Sequence, residues 1–462
     1  MPAHSPLTWL RIVCGAALCV GLMIFFVHAA EEHARRVNTF KARGDQSGYL
    51  WDAENVYHNM HGRQPKVLIG ERNRMPLYAG YLSLAYQPSM SDPEFFEVGK
   101  RKNIYLALSM LVLIGVVLWR SLPPLAAANV TGIAAFGWFI YKAGYTQADL
   151  LYYTLFFFTF VCCWHLFRIR MSARAVALGA LAGGLAALTY LTKAANSPFI
   201  DLFLLVFGVR ALLVALRPDH RAGPADRRPF VMAATLLAFG LVFLAVLSPY
   251  LTTNHRAFGR WFYNVNSTFY VWYDDWAHAS TGTILHGDGS HWPAMAAEEL
   301  PGPGRYWREH TVGQMLGRVR SGVNDMAVVS YRTYDYLPYV LLYGAVVAGI
   351  AVTRWQVFSQ LAADHRWLTM FLAAYFALYM LLIAFYFPIS GTGTARFLIA
   401  HLLPFFFVVS HLLTRSRLRT LEWSAGSLRL TTGHFQLVVL VILAADVAFR
   451  TWPRLMTTYG GF

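Results

Sequence analysis

Apolar residues fall in long runs separated by short, arginine-rich connections, and most runs approach or exceed the roughly 20 residues a helix needs to cross a bilayer. Eleven of them read as spans: Trp9–Ala30, Asn103–Leu118, Leu122–Tyr141, Leu150–Phe167, Ala175–Leu191, Phe199–Leu216, Phe230–Leu251, Leu337–Val352, Trp367–Phe387, Phe397–Leu413 and Phe435–Phe449. The first also has the outline of a secretory leader. Arg11 precedes the apolar stretch, and Val27-His28-Ala29 offers the small residues that a signal peptidase accepts. Ten further spans make a cleaved leader unnecessary for targeting, so it is taken as a retained helix. Two connections, 31–102 and 252–336, are too long for turns, and their Trp, Tyr and Pro content predicts folded or interface-lying pieces.

Composition agrees with this pattern. With 56% hydrophobic and only 14% charged residues, a soluble domain could not cover its surface with polar groups. The expectation is an all-α polytopic membrane protein, one integral-membrane domain over 1–462. The net charge of +15 would suggest nucleic acid if it lay on one soluble face, but it is scattered between the apolar runs and so carries orientation instead. With the N-terminus cytoplasmic, the inner connections receive Arg120, Arg168, Arg170, Arg174, Arg217, Arg221, Arg227, Arg228, Arg354, Arg366, Arg415, Arg417, Arg419 and Arg429. The short outer connections hold only Lys142, Lys193 and Arg396, so both long loops face outward by the positive-inside rule. Cys14, Cys19, Cys162 and Cys163 all lie in apolar runs, which leaves no loop disulfide framework.

Chemistry concentrates in the first long loop, where RGDQSGYLWDAENVY (43–57) carries Asp45, Asp52 and Glu54. Gly44-Asp45 has the form of a helix start, with the carboxylate able to cap the first amides. Seven residues on, Asp52 returns to the Asp45 face while Glu54 points away. Further along, RNRMPLY supplies Arg72 and Arg74, whose guanidinium forks suit phosphate oxygens. Lys193 in YLTKAANSP and Arg396 in GTGTARFLIAHLLP sit at headgroup depth. Each alone reads as a snorkelling anchor, but together beside the acidic loop they suggest a held anionic headgroup. In the second long loop His286, Asp288 and His291 match no defensible zinc spacing, and Asp274-Asp275 reads as a solvated pair. No metal or cofactor is expected.

The series GDQSGYLWDAENVY, RNRMPLY, LTKAANSP, SPYLTTNHRAFG and ARFLIAHLLPFF resembles the GT-C superfamily of integral-membrane glycosyltransferases, in the bacterial branch of protein O-mannosyltransferases and aminoarabinose transferases. The resemblance implies a polyprenyl-phosphate sugar donor, a glycan, lipid or protein acceptor, inversion at the sugar, and an active site on the periplasmic side of a bacterial plasma membrane. It places the catalytic base on Asp45; on physical grounds Arg72, Arg74, Lys193 and Arg396 are the candidates for the donor phosphate, and Asp52 and Glu54 are candidate secondary acids. The second long loop would then form the acceptor or lid region. Gln46 stands where the family often has a second acid, and Arg74-Met75-Pro76 where it often reads Arg/Lys-Pro-Pro.

Two other classes compete. A lipid-sugar transporter or flippase would place working charges near the midplane, where Asp201 and Asp446 are the acids clearly inside spans. A ligase or polymerase acting on diphosphate-linked glycans would depend on outer-loop residues such as Arg305, Arg308 and His310 and dispense with Asp45.

Overall fold

A computed structural model describes residues 6–62, 74–216, 228–285, 300–414, 423–425 and 428–459. Helices dominate: α1 (Pro6–Val37), α2 (Gln46–Met60), α3 (Pro76–Ser83), α4 (Asp92–Ser121), α5 (Pro124–Ala143), α6 (Asp149–Leu166), α7 (Ala173–Thr192), α8 (Ser197–Leu216) and α9 (Arg228–Phe258). The chain continues through α10 (Trp276–Leu285), α11 (Pro303–Glu309), α12 (Val312–Arg332), α13 (Leu337–Thr353), α14 (Trp355–Asp364), α15 (Arg366–Ser390), α16 (Thr394–Leu413) and α17 (Thr432–Leu455). The exception is a pair of three-residue antiparallel strands, β1 (Trp423–Ala425) and β2 (Leu428–Leu430), in a connection that the hydrophobic pattern treats as plain loop.

Among the described residues ten helices are long and apolar enough to cross a membrane, and an eleventh crossing exists only if α12 and α13 count as one. They do not run straight: the two helices meet at 115° across Thr333–Tyr336. The expected span Leu337–Val352 is thus the short α13, and α12 is a separate amphipathic piece closed at its start by a Thr311–Gln314 capping box. The first span extends well past its expected end, from Pro6 to Val37.

Small residues let helices approach closely where lipid gives no hydrophobic drive. A methyl group on Gly183 of α7 would lie 2.2 Å from the Phe239 carbonyl oxygen of α9, so those two backbones touch. Between α6, α8, α15 and α16 the core is aromatic, with Phe156, Phe160, Phe199, Phe371 and Tyr375 packed mostly edge-on or tilted against one another and Phe156 edge-on to buried His401. At one end of the bundle the C-terminal ends of α1, α5 and α7 converge with the starts of α2, α6, α8 and α16, and the second long loop packs there through Phe258, Tyr263, Phe269 and Tyr270 against Ile389 of α15.

Candidate functional site

Asp45 occupies the N-cap position of α2, as the sequence predicts, but its carboxylate makes no capping bond. Gly44, at φ +65°, turns the chain into the helix in a conformation that glycine adopts freely. The Asp45 Oδ2 atom instead accepts a hydrogen bond from an Arg396 terminal nitrogen at 2.6 Å, joining the first loop to the start of α16. Its side chain stays 37% exposed. Burial pushes the Asp45 carboxyl up, but the Arg396 guanidinium and its hydrogen bond, helped by Lys193, outweigh burial and nearby Asp149, and hold it below the usual carboxylate range. Asp45 is therefore an anion at neutral pH. Tyr49, one turn along α2, is buried, and burial raises its phenol well above the ordinary value, so it stays neutral.

Gln46 is the fixed point of this corner. Fully buried, it donates from Nε2 to Asn38 Oδ1 at 2.8 Å and to the Arg43 carbonyl, and its Oε1 accepts from Asn38 Nδ2 at 2.8 Å and from the Thr146 amide at 2.9 Å. A carboxylate could not supply the two donated bonds. Gln46 thus staples the Asp45 turn to the α5–α6 connection.

A second carboxylate lies beside the first. Asp149, the first residue of α6, is 1% exposed, with its Oδ2 2.5 Å from Lys142 Nζ and its Oδ1 bonded by Lys193. Lys142 also donates to Gln147 Oε1 at 2.8 Å. Lys193 sits in extended backbone between α7 and α8, with its ammonium over the Phe397 ring. Tyr153 donates to the Arg396 carbonyl at 2.7 Å and fixes that backbone. The Arg396 Nε–H is buried and has no hydrogen-bond partner among the described residues, so one donor of the cluster remains to be used by something else.

The structure thus brings together Asp45, Lys193 and Arg396 from the expected set. Arg74 lies one step away, its Nε donating to Asp52 at 2.9 Å, with its guanidinium lying over Gly48, where a Cβ would be 2.3 Å from its central carbon. Glu54 faces His58 at 3.6 Å on the other side of α2. Arg72 lies outside the described residues, as do His286, Asp288 and His291. In the second loop, His310 contacts Asp274 at 3.1 Å, Arg305 pairs with Glu309 at 2.7 Å, and Asp275 pairs with His278 at 2.7 Å. No group of three or more metal-ligating side chains occurs among the described residues.

Sequence reasoning passed over Asp149 and set Lys142 aside. Asp149 at the head of an apolar run reads as an ordinary first-turn acid, favourable near a helix N-terminus. The available signal was the trio of outer cations: Lys142, Lys193 and Arg396 are far apart in sequence, yet all three end at one place.

Comparisons of the chain with protein-family models, curated proteins and solved structures return no match. Fold and site together define a many-spanning helical membrane protein with a cluster of five charged side chains at one end of its bundle.

Proposed function

We propose that the chain is an integral-membrane, GT-C-like glycosyltransferase that moves a sugar from a polyprenyl-phosphate donor to an acceptor hydroxyl on the outer side of a bacterial plasma membrane. The observation that carries this is the charge cluster itself. Lys142, Lys193 and Arg396 face Asp45 and Asp149, which leaves one surplus positive charge and the buried Nε–H of Arg396. A phosphodiester linking a lipid to a sugar carries one negative charge and fits that surplus. A diphosphate carries more, and this favours the phosphate-linked donor over the ligase alternative.

In the proposed reaction the acceptor oxygen attacks the anomeric carbon as the bond to the phosphate oxygen breaks, and configuration inverts. Asp45 takes the acceptor proton, while Arg396 and Lys193 stabilise charge on the departing lipid phosphate. While paired with Arg396, Asp45 is a weak base. Donor phosphate competing for the guanidinium would weaken that pair and raise the basicity of Asp45 when the substrate is in place. The base thus strengthens on donor binding.

The test is transfer from a radiolabelled polyprenyl-phosphate sugar by the purified full chain, with Asp45→Asn as the key variant. The amide keeps the side chain's size but cannot take the proton, so turnover should fall by roughly two to four orders of magnitude with donor affinity largely retained. Near-normal transfer by Asp45→Asn would remove the base assignment, and a wild-type chain that transfers nothing would remove the transferase reading and leave the transporter and ligase classes in its place.

A further inference from the structure

Asp335 lies in the break between α12 and α13 and belongs to none of the charge pairs above. It is 2% exposed. Its carboxylate accepts from the Tyr141 hydroxyl at 2.5 Å and from Arg454, and forms an ion pair with Arg450 Nε at 3.0 Å. Its amide donates to the Gly137 carbonyl at 3.0 Å. The preceding residue, Tyr334, is the one non-glycine with positive φ among the described residues, at +56°. Its amide donates to the Tyr459 hydroxyl at 2.8 Å. The same stretch reaches α1, where His33 Nε2 donates to the Tyr459 carbonyl at 2.8 Å and Arg36 to the Met456 carbonyl at 2.8 Å. A strained backbone persists only where its surroundings over-determine it, and here α1, α5 and residues 450–459 do so.

What this clamp grips is the last part of α5. Ala135–Phe139 is a π-helical turn, which admits an extra residue and shifts the rotation of whatever follows it. The four residues after it, Ile140–Ala143, are too few to set their own rotation. Tyr141 and Lys142 point about 100° apart on a helix, so fixing one aims the other. We propose that Asp335 is a positioning residue for the candidate site: by holding the Tyr141 hydroxyl and the Gly137 carbonyl it aims Lys142 at Asp149 and Gln147. The role rests on Lys142 belonging to that site, but the position of Lys142 can be read without any transfer assay.

The test uses the full chain in lipid nanodiscs, a small amine-reactive reagent and mass spectrometry of each lysine. Tyr141→Phe removes one hydroxyl and no volume from the core. In Tyr141→Phe and Asp335→Asn, Lys142 should be modified about tenfold faster than in wild type, the effect of a one-decade shift in local opening. Buried Lys100 and half-buried Lys41 should be unchanged, and Asp335→Glu should restore part of the protection. Unchanged Lys142 modification in a folded Tyr141→Phe would overturn the proposal. Equal rises at Lys142 and Lys100 would do the same, since they would report general loosening. If Asp335→Asn does not fold, Tyr141→Phe decides alone. A wild type that binds no lipid-phosphate sugar, alongside a freed Lys142 in the variants, would remove the transferase assignment and leave this inference standing.

Discussion

Replacing Asp149 by asparagine tests the charge cluster most directly. The change keeps the volume of the side chain and removes its charge, leaving Lys142 and Lys193, which share that one carboxylate, facing each other. Lys142 is 1% exposed, so its ammonium cannot turn to water. Two unit charges about 4 Å apart repel by roughly 4 kcal/mol at the effective dielectric of protein interiors. Removing one partner of a buried ion pair costs about 3 to 5 kcal/mol in mutational experience. These are two views of the same loss and do not add. The assay is thermal unfolding in detergent with and without the compensating change: Asp149→Asn alone should lower the melting temperature clearly. The double variant Asp149→Asn with Lys142→Met, which removes the like-charge contact, should recover much of the loss, because adjacent sites are coupled. A single variant that melts with wild type, or a double variant whose loss is the sum of the two singles, would refute the account of the cluster as mutually compensating charges.

Other expectations follow from the same geometry. Arg396→Ala and Lys193→Ala should each weaken donor binding by roughly ten- to a hundredfold, the range for losing a charge-assisted contact, measured by titration with a polyprenyl-phosphate analogue; unchanged binding in both would reduce them to anchors. Because the Asp45 carboxyl is held lower in the folded chain than in the unfolded one, its pairing with Arg396 contributes fully above the ordinary carboxylate value of about 3.9 and is lost as pH falls through the depressed folded value. Melting followed against pH should show that loss in wild type and not in Asp45→Asn. In α7, Gly183→Ala should destabilise by about 1 to 3 kcal/mol or more, since the new methyl meets the Phe239 backbone. Gly184→Ala, whose methyl would meet a Val242 methyl at an ordinary 3.5 Å, should be nearly silent by the same melt.

Several features were legible in the residue pattern because they depend on local properties. Span existence follows from run length and composition alone, and ten of the eleven expected spans have a long apolar helix where the runs lie. The start of α2 at Gly44-Asp45 followed from residue types that suit a helix N-terminus. The break between α12 and α13 escaped, because the apolar run of α13 looks the same whether the preceding helix continues it or turns through 115°. The expected Asp45 capping bond also failed to form: a capping site competes with any better partner, and the partner here, Arg396, lies 351 residues away.

By itself, then, the sequence determined that this is a membrane-embedded helical bundle, and it marked Asp45, Lys193 and Arg396 as polar residues placed where an apolar chain has little reason to carry charge. Only the tertiary structure decided which charges meet. It gave Asp45 to Arg396, Asp149 to two lysines, Arg74 to Asp52, and Asp335 to Tyr141, Arg450 and Arg454. Hydrophobic length is a property of each segment read alone, whereas the partner of a charge depends on which helix ends the packing brings within a few ångströms, and in this chain partners lie from seven to 351 residues apart.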